Sequence, residues 1–345
     1  MSAAAGHHDT TSGQRTPAVP ATMRAVVQDR YGTVEVLRQE RIAVPEIDDD
    51  DVLLRVHAAG LDRGTWHLMS GRPYLMRVIG FGVRGPKNRV PGLDAAGTVV
   101  AVGPAVTRFE VGDRVFGVAR GSFAEYAAAR EDKLARLPQH LTFEQAAVVP
   151  VSGLIAQRGL CDVGRLQPGQ KVLVTGASGG VGSYAVQLAA ALGAEVTGVC
   201  STAKLDLVRS LGATHVVDYT VQDFADGPER YDLVLDVAGN PSLSRLRRAL
   251  TPRGTAVVLG GEQGGPVTGG FGRTLRAPLV SLFVSQRLAM VAADENGRDL
   301  ERLTPYLEDG RVRPSIDSTW PLERVRDAMR HLVAGEVRGK VVITI

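Results

Sequence analysis

The rhythm of apolar positions along this chain changes once. From Met23 to about Arg136 apolar residues fall in short β-branched runs, Met23–Gln28, Val52–Ala58, Gly97–Val102 and Arg114–Val118, separated by clusters of Gly, Pro and Asp. Runs bounded in that way read as strands. Pro91–Phe123, where turn glycines alternate with valine runs, reads as a compact β-barrel. One short helix is expected in this half, over Arg63–Ser70. From about Leu141 the period becomes helical, over Thr142–Val148 and Gly153–Asp162. Strand and helix then alternate through Lys171–Thr175, Val181–Leu192, Glu195–Val199, Ala203–Leu211, His215–Val217, Leu233–Asp236, Leu243–Leu250 and Thr255–Leu259. Such alternation predicts βαβ units on a parallel sheet. Leu322–Val333 reads as a helix, and Lys340–Ile345 as a strand that returns to complete the first half or to close the sheet edge. The expected division is a disordered tail over 1–22, a β domain over 23–150 completed by about 310–345, and an α/β domain over 151–309.

Composition changes this picture in a few places. The 40 glycines among 345 residues follow no period, which excludes a collagen-like chain. Two cysteines, Cys161 and Cys200, make no disulfide framework and point to a reducing compartment, read as the cytoplasm. No apolar run approaches a membrane span, and no membrane partner is expected. A net charge of +3 does not suggest nucleic-acid binding. His7 and His8, in a small polar tail, are read as carrying no metal. Lysine is scarce beside arginine, so Lys87, Lys133, Lys171, Lys204 and Lys340 each draw notice.

The most informative segment is Lys171–Ala191. A buried strand runs into Gly176-Ala-Ser178-Gly179-Gly180-Val181-Gly182 and then into a helix. Glycines in that setting allow a tight turn, close approach to a pyrophosphate and close packing of helix on strand, with the helix N-terminus facing the phosphates. The next strand tip decides which dinucleotide. It carries no acid for a ribose 2′-hydroxyl; instead it reads Ser201-Thr202-Ala203-Lys204, with Arg209 a turn further on. Hydroxyls and cations suit a 2′-phosphate, so NADPH is the expected cofactor. Tyr219, at the end of the third strand, is a further candidate beside the adenosine phosphate. The same glycines also match G-x-S-x-G, the nucleophile elbow of α/β-hydrolases. Ser178 would then need an acid and a histidine such as Asp236 and His331.

Val90-Pro-Gly-Leu-Asp94-Ala-Ala-Gly97, Val111-Gly-Asp113-Arg-Val-Phe-Gly117, Gly121-Ser-Phe-Ala-Glu-Tyr126, Leu166-Gln-Pro-Gly-Gln-Lys171, the Gly176–Gly182 loop, Leu211-Gly-Ala213 and Arg338-Gly-Lys340 resemble the medium-chain dehydrogenase/reductase superfamily, and within it the zinc-independent, quinone oxidoreductase-like members. The resemblance runs from Met23 to Ile345. It implies a GroES-like β-barrel domain joined to a doubly wound Rossmann domain, with the cofactor in the cleft between them. It implies a cofactor lining of Asp62, Arg63, Ser152, Val237–Asn240 with Gly239, Gly260 and Gly261, and places Arg338 and Lys340 near the cofactor. Where zinc-dependent relatives carry Cys, His and Glu, this chain matches with Asp62, Leu93 and Asp94, and no Cys or His occurs near Val149–Ser152. No metal is therefore expected, because leucine cannot ligate one. The substrate class implied is a quinone or an α,β-unsaturated carbonyl, whose own π-system takes up the incoming charge. Asp62, His67 and Tyr74 are the candidate proton donors, and Trp66 and Tyr74 are placed to sandwich a flat ring. A non-catalytic NADPH-binding or sensing protein stays open as an alternative. The glycine-rich stretch Leu259–Arg273 is read as a flap. A homodimer through the Rossmann sheet edge, using Thr255–Leu259 and Pro278–Val284, is the implied oligomer.

Overall fold

The computed structural model describes residues 19–260, 265–291 and 295–345. In the first half, β1 (Thr22–Val27) and β2 (Arg38–Ala43) form an antiparallel pair. β3 (Asp51–Leu61) is the long central strand, and α1 (Arg63–Ser70) follows it directly. Asp62 starts that helix, its carboxylate accepting from Thr65 N at 2.9 Å, and Gly71, in the left-handed region, ends it. β4 (Asp94–Val102), β5 (Arg114–Val118), β6 (Tyr126–Arg130) and β7 (Leu134–Arg136) build the barrel around β3. Two helices, α2 (Phe143–Ala146) and α3 (Pro150–Gln157), lead across to the second half.

There, β8 (Lys171–Thr175), α4 (Gly180–Ala191), β9 (Glu195–Cys200), α5 (Leu205–Ser210), β10 (His215–Asp218), β11 (Tyr231–Asp236), α6 (Leu243–Ala249), β12 (Leu250–Val258), α7 (Phe271–Ser281) and β13 (Arg287–Met290) form the alternation read in the sequence. The six strands are parallel, in the order β10-β9-β8-β11-β12-β13. This is the doubly wound order whose direction of winding reverses at the first strand, where a crevice opens. The expectation that Thr255–Leu259 supplies a sheet edge is corrected here. β12 is paired on both sides, and the edge strand is β13. Pro278 lies inside α7 rather than in a strand-like stretch.

The chain then returns. α8 (Gly297–Glu308) packs on α3 and β7. β14 (Ile316–Pro321) pairs in parallel with β15 (Lys340–Thr344), α9 (Val325–Val333) joins them, and β15 pairs antiparallel with β3. The last strand therefore sits in the barrel sheet, beside the loop that begins α1. The largest core is shared between the halves: Ala58, Ala96 and Phe116 belong to the same apolar cluster as Leu154, Val174, Tyr184 and Val257. Burying one continuous apolar surface holds the walls of the cleft together. Thr22 already belongs to β1, whereas His7, His8 and the rest of 1–18 lie outside the described residues.

Candidate active site

A cleft of about 1230 Å³ opens between the two halves. Its floor is the turn from β8 into α4. Gly176 adopts a positive φ of 63°, and a Cβ on Gly182 would stand 2.1 Å from the Gly176 carbonyl oxygen. Only glycine lets the helix begin so close to the strand end. α4 is entered through Gly179 with no side-chain cap, so its first N–H groups are left for an anion. Ser178, Gly179, Gly180 and Val181 all line the cleft.

Beside this floor lies a buried charge cluster. The Lys340 ammonium is 3.0 Å from Ser152 Oγ, 3.3 Å from Asp94 Oδ2 and 3.5 Å from Asp62 Oδ2. Lys340 and Asp94 are both 1% exposed. Asp94 Oδ1 also accepts from Val151 N, at the start of α3, at 2.9 Å. Burial pushes the Asp94 carboxyl up to about 7, against the pull of Lys340. For Lys340, burial disfavours the charge, but the attraction of Asp62 and Asp94 outweighs it and holds the ammonium protonated. The lysine stem packs over the phosphate turn, since a Cβ on Gly180 would come within 3.0 Å of Lys340 Cδ and 3.2 Å of Ser152 Oγ. Gly339 N donates to Ser178 O at 2.8 Å, tying β15 to the same turn.

At the outer end, Ser201, Lys204 and Tyr219 line the cleft. Lys204 Nζ donates to the Gly335 and Val337 carbonyls at 2.9 and 2.7 Å, bridging to the segment before β15. Burial and the nearby Arg338 lower its pKa. Three sequence candidates near this end do not line the cleft. Thr202 Oγ1 donates to Asp218, Arg209 pairs with Asp206, and Arg338, whose N–H donates to Asp317 at 3.0 Å, does not line the cleft.

Asp62, His67, Tyr74, Gly239 and Gly260 also line the cleft. Asp62 is held as the cap of α1 and as a partner of Lys340. His67 Nδ1 bonds the Arg72 carbonyl at 2.7 Å, and its ring stands edge-on to Trp66. The glycine-rich stretch is anchored at both described stems. Arg273 donates to Pro241 O and Gly260 O at 2.9 and 2.5 Å, and Tyr74 N and Leu75 N donate to Pro266 O and Val267 O at 2.9 Å each. Gly261 lies outside the described residues. The Ser-His-Asp relay is not assembled: Asp236 is held by Thr175 and Arg273, and His331 by Asp317 and Glu336.

The sequence reading missed one member of the site and one residue that supports its wall from behind. Asp94 entered it only as a mismatch to a metal position, yet it is the buried partner of Lys340. Arg273 was counted inside a flap, yet it forms a buried pair with Asp236 at 2.5 Å. Burial pushes the Asp236 carboxyl up to about 6 despite that arginine. An arginine at the end of a glycine-rich stretch, where α7 begins, was the available signal.

Residues 48–139 match the alcohol dehydrogenase GroES-like domain, and residues 211–343 match a family described as zinc-binding dehydrogenase. The chain is 35% identical to a 2-methylene-furan-3-one reductase of Solanum lycopersicum and 35% identical to an NADPH-dependent alkenal/one oxidoreductase of Arabidopsis thaliana. Each alignment covers 94% of this chain and 80% of the relative. Among solved structures, the quinone oxidoreductase of Coxiella burnetii superposes with a TM-score of 0.83 at 26% identity, covering 94% of this chain and 99% of that one.

Proposed function

Because this chain belongs to the medium-chain dehydrogenase/reductase superfamily, among its quinone oxidoreductase and alkenal/one reductase members, we propose that it reduces quinones or α,β-unsaturated carbonyls with NADPH and without a metal ion. One observation carries the metal-free part. Where zinc-dependent members of the superfamily hold their ion, this chain brings together two aspartates and a serine around its own ammonium group, at 3.0–3.5 Å. No thiolate or imidazole joins them, and among the described residues no group of three His, Cys, Asp or Glu side chains converges as a metal site. A zinc ion placed there would meet the positive charge of Lys340 rather than soft donors. The donor set does not fit zinc.

The residues fit NADPH. Its nicotinamide, when bound, supplies the hydride. The N-terminus of α4 faces the pyrophosphate, with the Lys340 charge beneath it. Ser201, Lys204 and Tyr219 supply the polar end suited to a 2′-phosphate, Lys204 exchanging two carbonyl acceptors for a charged one. Ser152, Gly239 and Gly260 shape the inner end against the ring. A quinone or enone takes up the incoming electron pair over its own conjugated system, so the protein works chiefly by positioning. His67 and Tyr74, at the mouth, deliver a proton to the carbanion or enolate carbon that follows. The reducing compartment read from the cysteines is consistent with Cys161 and Cys200 both being free thiols. A homodimer is supported by the edge strand β13 and by the segment beside it, where Leu275 and Leu279 of α7 and Leu282 and Phe283 of the turn after it are exposed.

The test is NADPH oxidation with a panel of quinones, enones, enals and saturated aldehydes. Turnover confined to the conjugated acceptors supports the reading. Tight NADPH binding with no turnover on any of them would leave a binding protein instead.

A further inference from the structure

Between Asp62 and Asp94 the chain carries six Arg or Lys residues and no Asp or Glu. The middle of this stretch leaves the rim of the cleft at Arg72, Pro73 and Tyr74 and runs through one wide helical turn, Arg77–Phe81, into an irregular segment, the whole of 75–87 forming a surface loop. Its backbone carbonyls and Arg77 are held from beneath. Tyr31 Oη donates to Gly82 O at 2.7 Å and to Gly85 O at 3.2 Å. The Arg77 guanidinium lies between the rings of Tyr31 and Tyr74, at 4.4 and 4.6 Å, and donates to Gly71 O at 2.8 Å. The loop backbone closes on itself through Gly82 N to Arg77 O and Lys87 N to Phe81 O. What faces water is apolar: Val78 is 72%, Ile79 61% and Val83 69% exposed. Next to them Arg84 and Lys87 stand exposed, and among the described residues neither takes part in an ion pair.

A loop of this kind, pinned from beneath with valine and isoleucine outward beside unneutralised cations, is built the way segments are that rest in a lipid interface. Apolar tips enter the headgroup boundary while Arg and Lys meet anionic headgroups. We infer that the 75–87 loop docks this protein on the surface of an anionic phospholipid bilayer, with the rim of the cleft turned toward the membrane. Arg89 is neutralised by Asp29 and Glu40, so the free charge is that of Arg84 and Lys87; it favours an anionic partner, and the three bare aliphatic tips favour lipid over a charged macromolecule. The inference departs from the expectation of no membrane partner and needs no spanning helix; none of the described helices is long and apolar enough to cross a bilayer. It is independent of the reductase reading, because docking is measured without turnover.

The experiment is co-sedimentation of the full chain with phosphatidylcholine vesicles and with the same vesicles containing phosphatidylglycerol, over a salt series. The expected result is binding to the anionic vesicles that weakens with salt. Arg84→Gln with Lys87→Gln should weaken it roughly fivefold per charge removed. A Val78→Ser, Ile79→Ser, Val83→Ser variant should lose most binding at unchanged net charge. Thermal midpoints report whether the variants fold, and the wild-type comparison of the two vesicle types stands even where they do not. Equal or absent binding to both vesicle types would overturn the inference. So would a serine variant that binds like wild type, or one whose only effect is to split an oligomer in ultracentrifugation, which would mark the face as belonging to a second copy. Binding to an acidic carrier protein that the glutamine variant abolishes, with no vesicle binding, would assign the patch to that partner instead.

Discussion

Replacing Lys340 by methionine removes the ammonium but keeps a stem of similar length over the phosphate turn. What remains is two carboxylates, Asp94 wholly buried and Asp62 largely so, facing each other without a cation. Breaking a buried ion pair by deleting one partner costs about 3–5 kcal/mol, chiefly because the other charge is left uncompensated. Asp94, already pushed up to about 7 with Lys340 present, loses its main stabilising charge and keeps its proton to still higher pH. In the unfolded chain the same carboxyl ionises near its ordinary value, so the folded variant holds a proton that the unfolded one has lost. Stability must then fall as pH rises, by up to about 1.4 kcal/mol per pH unit for one proton. In the wild type that slope flattens above about pH 7, whereas in Lys340→Met it should continue. Urea unfolding of both proteins at about pH 6, 7 and 8 measures this, with a gap that widens toward alkaline pH. Adding Asp94→Asn to Lys340→Met should recover part of the loss, with a coupling of roughly 1–3 kcal/mol. A loss below about 1 kcal/mol that stays constant across the three pH values would refute the view that Lys340 is the counter-ion of a buried carboxylate pair.

Lys204→Ala should weaken NADPH binding about ten- to a hundredfold while leaving NADH nearly unchanged, read by fluorescence titration; an unaltered ratio would remove Lys204 from the 2′-phosphate. Gly182→Ala places a Cβ 2.1 Å from a backbone oxygen that cannot swing aside, so NADPH affinity should fall at least about tenfold and stability by about 1–3 kcal/mol, read by titration and urea unfolding. In the wild type the thermal midpoint should rise as pH falls from about 8 to about 6. Asp94 and Asp236, whose folded pKa values are raised to about 7 and about 6, contribute stability that is complete at low pH and lost as pH climbs through those values. His331, raised chiefly by its bond to Asp317, acts in the same direction, and His57, lowered by burial, acts against it. A midpoint that rises with pH across this window would contradict the assignment of the two buried aspartates.

Much of this architecture was legible before any coordinates. The boundaries of α1 and β5 coincide with their apolar runs, and the glycines of the β8–α4 turn announced a turn that tolerates no Cβ. Elements whose signal is mixed were missed. β2, with the run Arg38-Gln-Glu-Arg-Ile-Ala43, is mostly exposed and pairs only with β1, so it lacks the alternation of a half-buried strand. α7 was hidden by its glycine-rich approach and by Pro278. The site divided in the same manner. Local chemistry identified the phosphate turn, because strand, glycines and helix adjoin in sequence. The Lys340 cluster assembles residues as far apart as 62, 94, 152 and 340, which only the return of β15 onto β3 brings together. No local pattern encodes such a contact. Thr202 illustrates the reverse case: its hydroxyl suits a phosphate, but here it donates to Asp218.

The proposed chemistry is hydride transfer from NADPH to a conjugated acceptor without a metal ion, beside the Lys340 ammonium held among Asp62, Asp94 and Ser152. It is tested most directly by steady-state NADPH oxidation with an enone, using enzyme dialysed against a strong chelator and assayed for residual metal. kcat and KM should match those of untreated enzyme, and added zinc should not raise them. Turnover that disappears on chelation and returns with stoichiometric zinc would contradict it.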